Sequence, residues 1–435
     1  KNVTNNTNDK PKVNKTRQLN DKTLHRQPPW HITLSCYLSF AILICFGYLR
    51  DFLTYVGLYT NKTIVESNRQ GYTSLYGTFQ SFFTRHVYRR AADAFSQPIS
   101  SVPGGKLCIH IELEELFAKY LGVESAVVFG MGFATNSTNI AALAGKGCLI
   151  LGDQLNHASL KSGSYISGAT YRTFRHNNMN DLEAKIRDSI AMGDTKTGLK
   201  WKKIVIIVEG VYSMEGTIAN LPELIRLKKK YKCYLYVDEA HSIGAIGPNG
   251  RGITDFYGCD ANDIDLLMGT LTKSFGASGG YIAGRRHIID HIRTHTHSSY
   301  ATNMSAPIAQ QIISVIKILM GETDGTDGIE RIDRLSKNTK YFRKRLKEMG
   351  FIVMGDPESP VIPIMLYFPS MISPFVRMSM ERGIATVGAG YPATTLTTSR
   401  IRFCMSSAHN QQMLDKALQV ISQLGDEFSI KYLKS

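Results

Sequence analysis

A lysine among small hydroxyl and glycine neighbours is the first residue with a chemistry of its own. Lys273 lies in the stretch GTLTKSFGASGG, just after the apolar run 265–268. An amine reached past such neighbours can form a Schiff base with a carbonyl cofactor. Thr270 and Thr272 add hydroxyls, and the following glycines let backbone approach an anion. Taken alone, this is also how an ordinary loop reads. Asp238 follows the apolar run 233–237, with His241 three residues on. A carboxylate there could hold a protonated pyridine nitrogen and keep a pyridoxal ring acting as an electron sink. Its plainer alternative is a helix cap. Asp238 and Lys273 stand one β-α-β step apart, so neighbouring strand ends could bring them to one ligand. Gly130 and Gly132 lead from a strand into a helix whose free N–H groups could bind phosphate. The P-loop pattern GxxxxGK[ST] is absent. His157, in GDQLNHASL, could stack on a flat ring, although a lone histidine is more commonly structural.

The elements that must position these residues alternate. Strands are expected at 125–129, 148–151, 170–174, 203–208, 233–237, 265–268 and 280–283, with helical stretches between them, which predicts a largely parallel sheet with crossover helices. In such sheets, ligands sit at the carboxyl ends of the strands. A helix is expected over 111–121. Past the turn-rich GETDGTDG, helical patterns at 329–349 and 410–424 flank strand-like runs at 361–367 and 401–405, as in a smaller α+β domain. His287, His291 and His295 share helical spacing, but no carboxylate arrangement accompanies them and no metal site is expected.

The 435 residues allow two or three domains, and 43% apolar residues can fill a core. The net charge is +15. Part of it belongs to an Asn-, Thr- and Lys-rich tail at 1–29, which could touch anionic lipid. The rest is scattered with no aromatic stacking platform, so nucleic-acid binding is not expected. Seven cysteines without CxxC spacing argue against a zinc site and a disulfide scaffold. The run Trp30 to Leu49 carries no charged residue and is long enough to span a bilayer as a helix. A membrane helix is expected, with an interfacial helix or a buried core helix as alternatives.

The motifs NHAS, DEAHSIG, GTLTKSFG and SSAH, in this order, resemble those of the pyridoxal-phosphate α-oxoamine synthases of the fold-type I aminotransferase superfamily. The resemblance runs from about residue 111 to the end. GYLRDFL, FFTRHVYRR, GMGFATNS and VEGVYSMEG add a similarity to the lysine-bearing subunits of eukaryotic serine palmitoyltransferases (long-chain-base subunit 2/3 type). This implies a fold-type I α/β transferase, with a mainly parallel large-domain sheet, a smaller C-terminal α+β domain and an N-terminal membrane helix. The expected organisation is a disordered basic tail at 1–29, a membrane-associated helix at 30–49, a linker region at 50–110, a large cofactor-binding domain at 111–325 and a small domain at 326–435.

The resemblance also implies roles. Lys273 would hold pyridoxal 5'-phosphate as a Schiff base and later move the α-proton of serine. Asp238 would pair with the pyridine nitrogen, His241 with the ring hydroxyl, and His157 would stack on the ring. Gly132, Phe133, Thr270 and Thr272 would hold the phosphate, and Ser213 would lie near the ring. Thr302 would reach the partner subunit's cofactor phosphate, and Arg402 would bind the substrate carboxylate. The implied reaction is condensation of L-serine with a long-chain acyl-CoA, with loss of carbon dioxide, giving 3-ketosphinganine. The implied partners are a paralogous lysine-lacking subunit, small regulatory membrane subunits and membrane lipid. The implied location is the endoplasmic reticulum membrane, with the catalytic domain facing the cytosol. Two departures stand out. Relatives carry several tens of residues between the SVPG region and the ELEEL helix, where this chain runs straight on. Thr395 replaces the proline that usually follows GAGYPAT. The alternative reading is therefore an inactive subunit that binds partners or cofactor without turnover.

Overall fold

Short runs that are apolar on both faces make the central sheet. LILGD, LLMGT and GYIAG are buried at every position, as expected of strands covered by helices on both sides. The computed structural model describes residues 30–58, 82, 109–195, 197–296, 304–323, 328–390, 393–394 and 397–433. The chain divides into two units, 1–97 and 98–435.

The first unit contains helix α1 (Trp30–Tyr55), where the Tyr48 ring stacks on Phe82 at 4.4 Å. Helix α1 covers the whole apolar run at 30–49, but the transmembrane expectation is corrected. Among the described residues, no helix is long and apolar enough to cross a membrane. In sequence, His31, Thr33, Ser35 and Ser39 dilute the first half of α1, and Arg50 and Asp51 stand near its end.

The second unit begins α2 (Ile109–Leu121), β1 (Ser125–Phe129), α3 (Gly132–Leu143), β2 (Leu149–Asp153), α4 (Ala158–Ile166), β3 (Thr170–Phe174) and α5 (Met179–Met192). It continues β4 (Ile204–Glu209), α6 (Leu221–Tyr231), β5 (Tyr234–Asp238), α7 (Ile253–Tyr257), β6 (Leu266–Thr270), β7 (Gly280–Gly284), α8 (Arg286–His295) and α9 (Ala306–Leu319). It ends α10 (Gly328–Glu348), β8 (Val361–Tyr367), α11 (Ile372–Glu381), β9 (Val387–Ala389), β10 (Ser399–Cys404) and α12 (Gln411–Glu427).

Seven strands form one sheet in the order β1-β7-β6-β5-β4-β2-β3. From β6 to β3 the pairing is parallel. Strand β7 runs antiparallel to both β6 and β1. The reason lies in the connection: only residues 271–279 join β6 to β7, too few for the crossover that a parallel neighbour needs. That short return loop carries Lys273. One core cluster includes Leu149, Ile206, Val208, Leu224 and Leu235, and another includes Val127, Ile140, Ile150 and Ile282.

The three-stranded antiparallel sheet β8-β10-β9 packs with α10 and α12 around Phe342, Leu346, Phe351, Ile401, Phe403 and Ile421. Strand β9 was not expected, being only three residues with a central glycine. On α8, the His291 and His295 rings stack at 4.0 Å, and His291 Nε2 lies 2.9 Å from the Ala142 carbonyl.

Candidate active site

The carboxyl ends of the parallel strands share one edge of the large sheet, and the candidate residues follow them. Gly132 opens α3 directly after β1. Its N-cap residue Met131 is extended and gives no side-chain hydrogen bond, so the first-turn N–H groups of α3 have no capping side chain. A Cβ on Gly132 would lie 2.6 Å from Thr270 Oγ1 and 3.2 Å from the Gly279 carbonyl oxygen. Glycine is therefore what lets the start of α3 close on the end of β6. Thr270 Oγ1 lies 2.9 Å from Thr272 Oγ1. Helix N–H groups and two hydroxyls thus form one cradle, which fits a phosphate.

Asp238 ends β5, buried. Asn136 Nδ2 donates to its Oδ2 at 2.8 Å, and the Ala240 N–H to its Oδ1 at 2.9 Å. Burial raises the Asp238 carboxyl above its ordinary range, and these donors, with Lys273 and His157, pull it back down. His157 is the N-cap of α4. Its Nδ1 accepts the Ser159 N–H at 3.2 Å, and its backbone N–H donates to Glu209 Oε1 at 2.5 Å. The Phe133 ring meets the imidazole edge-on at 6.2 Å. Burial holds the His157 imidazole below its usual value. His241 is held well below, by burial first and then by Lys273, Arg402 and His157.

Lys273 stands in the short loop between β6 and β7. Its amine makes no hydrogen bond among the described residues, and burial lowers its ammonium below the usual range. Asp238 and Glu209 oppose that shift, while Arg402 adds to it. Arg402, on β10, reaches across and donates from Nη1 to the Ser213 carbonyl at 3.0 Å. Its Nε is buried with no hydrogen-bond partner among the described residues. Ser213 thus contributes its backbone to the arrangement. Two residues before it on β10, Arg400 holds the same loop through Met214 O at 3.1 Å and Glu215 at 3.3 Å. Thr302 and Thr395 lie outside the described residues, as does the junction before residue 109.

Sequence reasoning missed the polar network beneath these groups. Asn136 Nδ2 also donates to Ser159 Oγ at 3.0 Å, and its Oδ1 accepts the Tyr236 hydroxyl at 2.8 Å. Asn136 stands four residues after Gly132, on the same helix face, and that spacing was the available signal. Glu209 ends β4 as Asp238 ends β5, in register with it, which the apolar run at 203–208 also foreshadowed.

The family described as aminotransferase class I and II matches residues 90–421. Serine palmitoyltransferase 3 of Homo sapiens is 45% identical over 475 residues, covering 93% of this chain and 86% of that protein. Serine palmitoyltransferase 2 of Saccharomyces cerevisiae is 40% identical over 471 residues, covering 93% and 84%. Among solved structures, an SPT with its PLP internal aldimine has a TM-score of 0.69 at 27% identity, covering 79% of this chain and 83% of that one. A Sphingomonas wittichii serine palmitoyltransferase gives 0.69 at 26% identity, with the same coverage. Since 93% of 435 residues is about 405, the 475-residue human alignment leaves about 70 positions without a residue of this chain.

Proposed function

The chain belongs to the aminotransferase class I and II family and, within it, to the serine palmitoyltransferase subunits, and from that premise we propose how its own residues serve the reaction. It is a pyridoxal-phosphate-dependent acyltransferase subunit, condensing L-serine with a long-chain acyl-CoA to 3-ketosphinganine, with release of carbon dioxide and CoA. The cofactor supplies an electron sink for the carbanion formed at the serine α-carbon. The observation that carries this reading is the convergence of one amine, one buried carboxylate and one phosphate cradle on a single sheet edge.

The α3 N-terminus, Thr270 and Thr272 would hold the phosphate. Asp238 would keep the pyridine nitrogen protonated. His157 would cover the ring and His241 would serve its hydroxyl. Lys273 would hold the cofactor's carbonyl carbon, and its free amine would take the serine α-proton. An amine held below its usual pKa is suited to that, since more of it is the free base at neutral pH. Arg402 is fitted for the serine carboxylate by an Nε without a partner among the described residues and by a planar fork that grips two oxygens. Thr302 would serve a partner subunit's site.

Gly132 offers a test of the cradle. Gly132→Ala places a methyl group against Thr270 Oγ1 and the Gly279 carbonyl. Cofactor affinity, read by absorbance titration, should fall roughly tenfold or more, about 1.4 kcal/mol. Far-ultraviolet dichroism should not change.

The test of the function is the visible absorbance of this chain co-expressed with a lysine-lacking paralogue. A band that changes on adding L-serine, followed by product when acyl-CoA is added, is the expected result. The absence of about 70 alignment positions favours a second reading, a subunit that holds cofactor without turnover. A cofactor band indifferent to serine would select that one, and no band at all would sink both.

Membrane association also belongs to this proposal. Trp30, Leu34, Leu38, Ile42, Phe46, Leu49 and Phe52 are exposed on α1, and the acyl chain and long-chain product both partition into lipid. We place the chain at the endoplasmic reticulum membrane with its catalytic domain toward the cytosol, open to small regulatory membrane subunits.

A further inference from the structure

Two buried carboxylates end neighbouring strands, and the reading above uses one of them. Glu209 closes β4 and Asp238 closes β5, directly paired in register and each 3% exposed. Two like charges so placed in the interior do not both ionise at neutral pH without a large cost. The donors around them decide which one does. Asp238 receives two hydrogen bonds, one on each oxygen. Among the described residues, Glu209 accepts one, the His157 N–H on Oε1. The titratable groups facing Glu209 are Asp238 from β5, Asp153 from the end of β2, Tyr212 and Glu215 from the loop after β4, and Lys273 from the β6–β7 loop. Three of these are further carboxyls, so the field on Glu209 is predominantly negative.

We propose that Glu209 is a positioning residue that keeps the proton of this pair. Neutral Glu209 leaves Asp238 as a single negative charge at the end of β5, while its Oε1 pins the backbone of His157. The inference rests on the reading of Asp238 as the partner of the pyridine nitrogen. Burial, and after it the Asp238 charge, push Glu209 well above the usual carboxylate range, in keeping with the geometry. The sign follows. A raised folded-state pKa gives stability that is complete below the ordinary carboxylate range and is lost as pH rises through the raised value.

The experiment is infrared difference spectroscopy of the full chain, co-expressed with the paralogue, against Glu209→Gln, with and without cofactor. A protonated-carboxyl carbonyl band should be present in the parent at pH 7, absent from the variant, and lost as pH rises. The variant's amide oxygen can still accept the His157 N–H, so the fold should survive. Pyridoxal-phosphate affinity should agree within about twofold at pH 7. At alkaline pH the parent should weaken more than the variant, a divergence that a merely structural role would not produce. Absence of the band, or a tenfold loss of affinity in Glu209→Gln at pH 7, would overturn the proposal. The band without any Lys273-dependent cofactor absorbance would refute the function above and still uphold the proton assignment.

Discussion

Replacing Lys273 with alanine should abolish turnover while leaving the fold intact. The amine is asked both to hold the carbonyl carbon and to move the serine α-proton, so its loss should lower the rate by roughly 10³-fold or more. Cofactor should still enter, since the α3 N-terminus, Thr270, Thr272 and Asp238 remain. It should bind less tightly without the covalent link, and its visible spectrum should change. Stability should move little. The Lys273 amine makes no hydrogen bond among the described residues, and the residue keeps much of its surface open to solvent although its amine end is partly desolvated. Substitutions at such places usually stay within about 0.5 kcal/mol. Any change should be a gain at lower pH, because a lysine whose folded-state pKa is depressed opposes folding more strongly as pH falls. The measurements are product formation, the cofactor spectrum and urea unfolding, on one preparation. Partial rescue by an added primary amine would separate the missing proton carrier from a distorted site. Retained turnover in Lys273→Ala would refute the assigned role.

The parts of this molecule legible in sequence are those with local causes. Seven strands of the large sheet fall within two residues of their expected ends, because buried strands read as short apolar runs bounded by turns, β3 at the sheet edge being the one that is mostly not buried. Lys273, Asp238 and His157 could be picked as candidates because polar residues that follow such runs lie toward the carboxyl ends of the strands, where ligands of such sheets sit. Other features had no local cause. The direction of β7 depends on the length of one loop. Strand β9 is too short to show a pattern. Asn136 meets Asp238 across 102 positions, so neither residue announces the other. The apolar run at 30–49 shows the converse case, where a composition signal gave the helix without the span expected of it.

Asp238→Asn is the sharper probe of the cofactor pocket, because the hydrogen-bond lattice predicts how the molecule will respond. Both carboxylate oxygens of Asp238 receive donors. The new amide presents its own N–H₂ to one of them, a donor facing a donor. Asn136 can relieve this by turning its amide, offering Oδ1 to the variant side chain and Nδ2 to the Tyr236 hydroxyl, which would then act as acceptor. The fold should therefore persist at a cost of about 1–3 kcal/mol for the imperfect network. The catalytic loss should be larger. On the proposed role, loss of the negative charge at the end of β5 would leave the pyridine nitrogen without its partner, and losing one such electrostatic partner costs roughly 10²–10³-fold in rate. The double variant Asp238→Asn, Asn136→Asp restores one donor and one acceptor between the two positions and returns a charge to the lattice, but on α3 rather than on β5. Unfolding stability should recover while serine turnover does not. If turnover recovers as well, a buried charge anywhere in the lattice suffices, and Asp238 holds no special relation to the ring nitrogen.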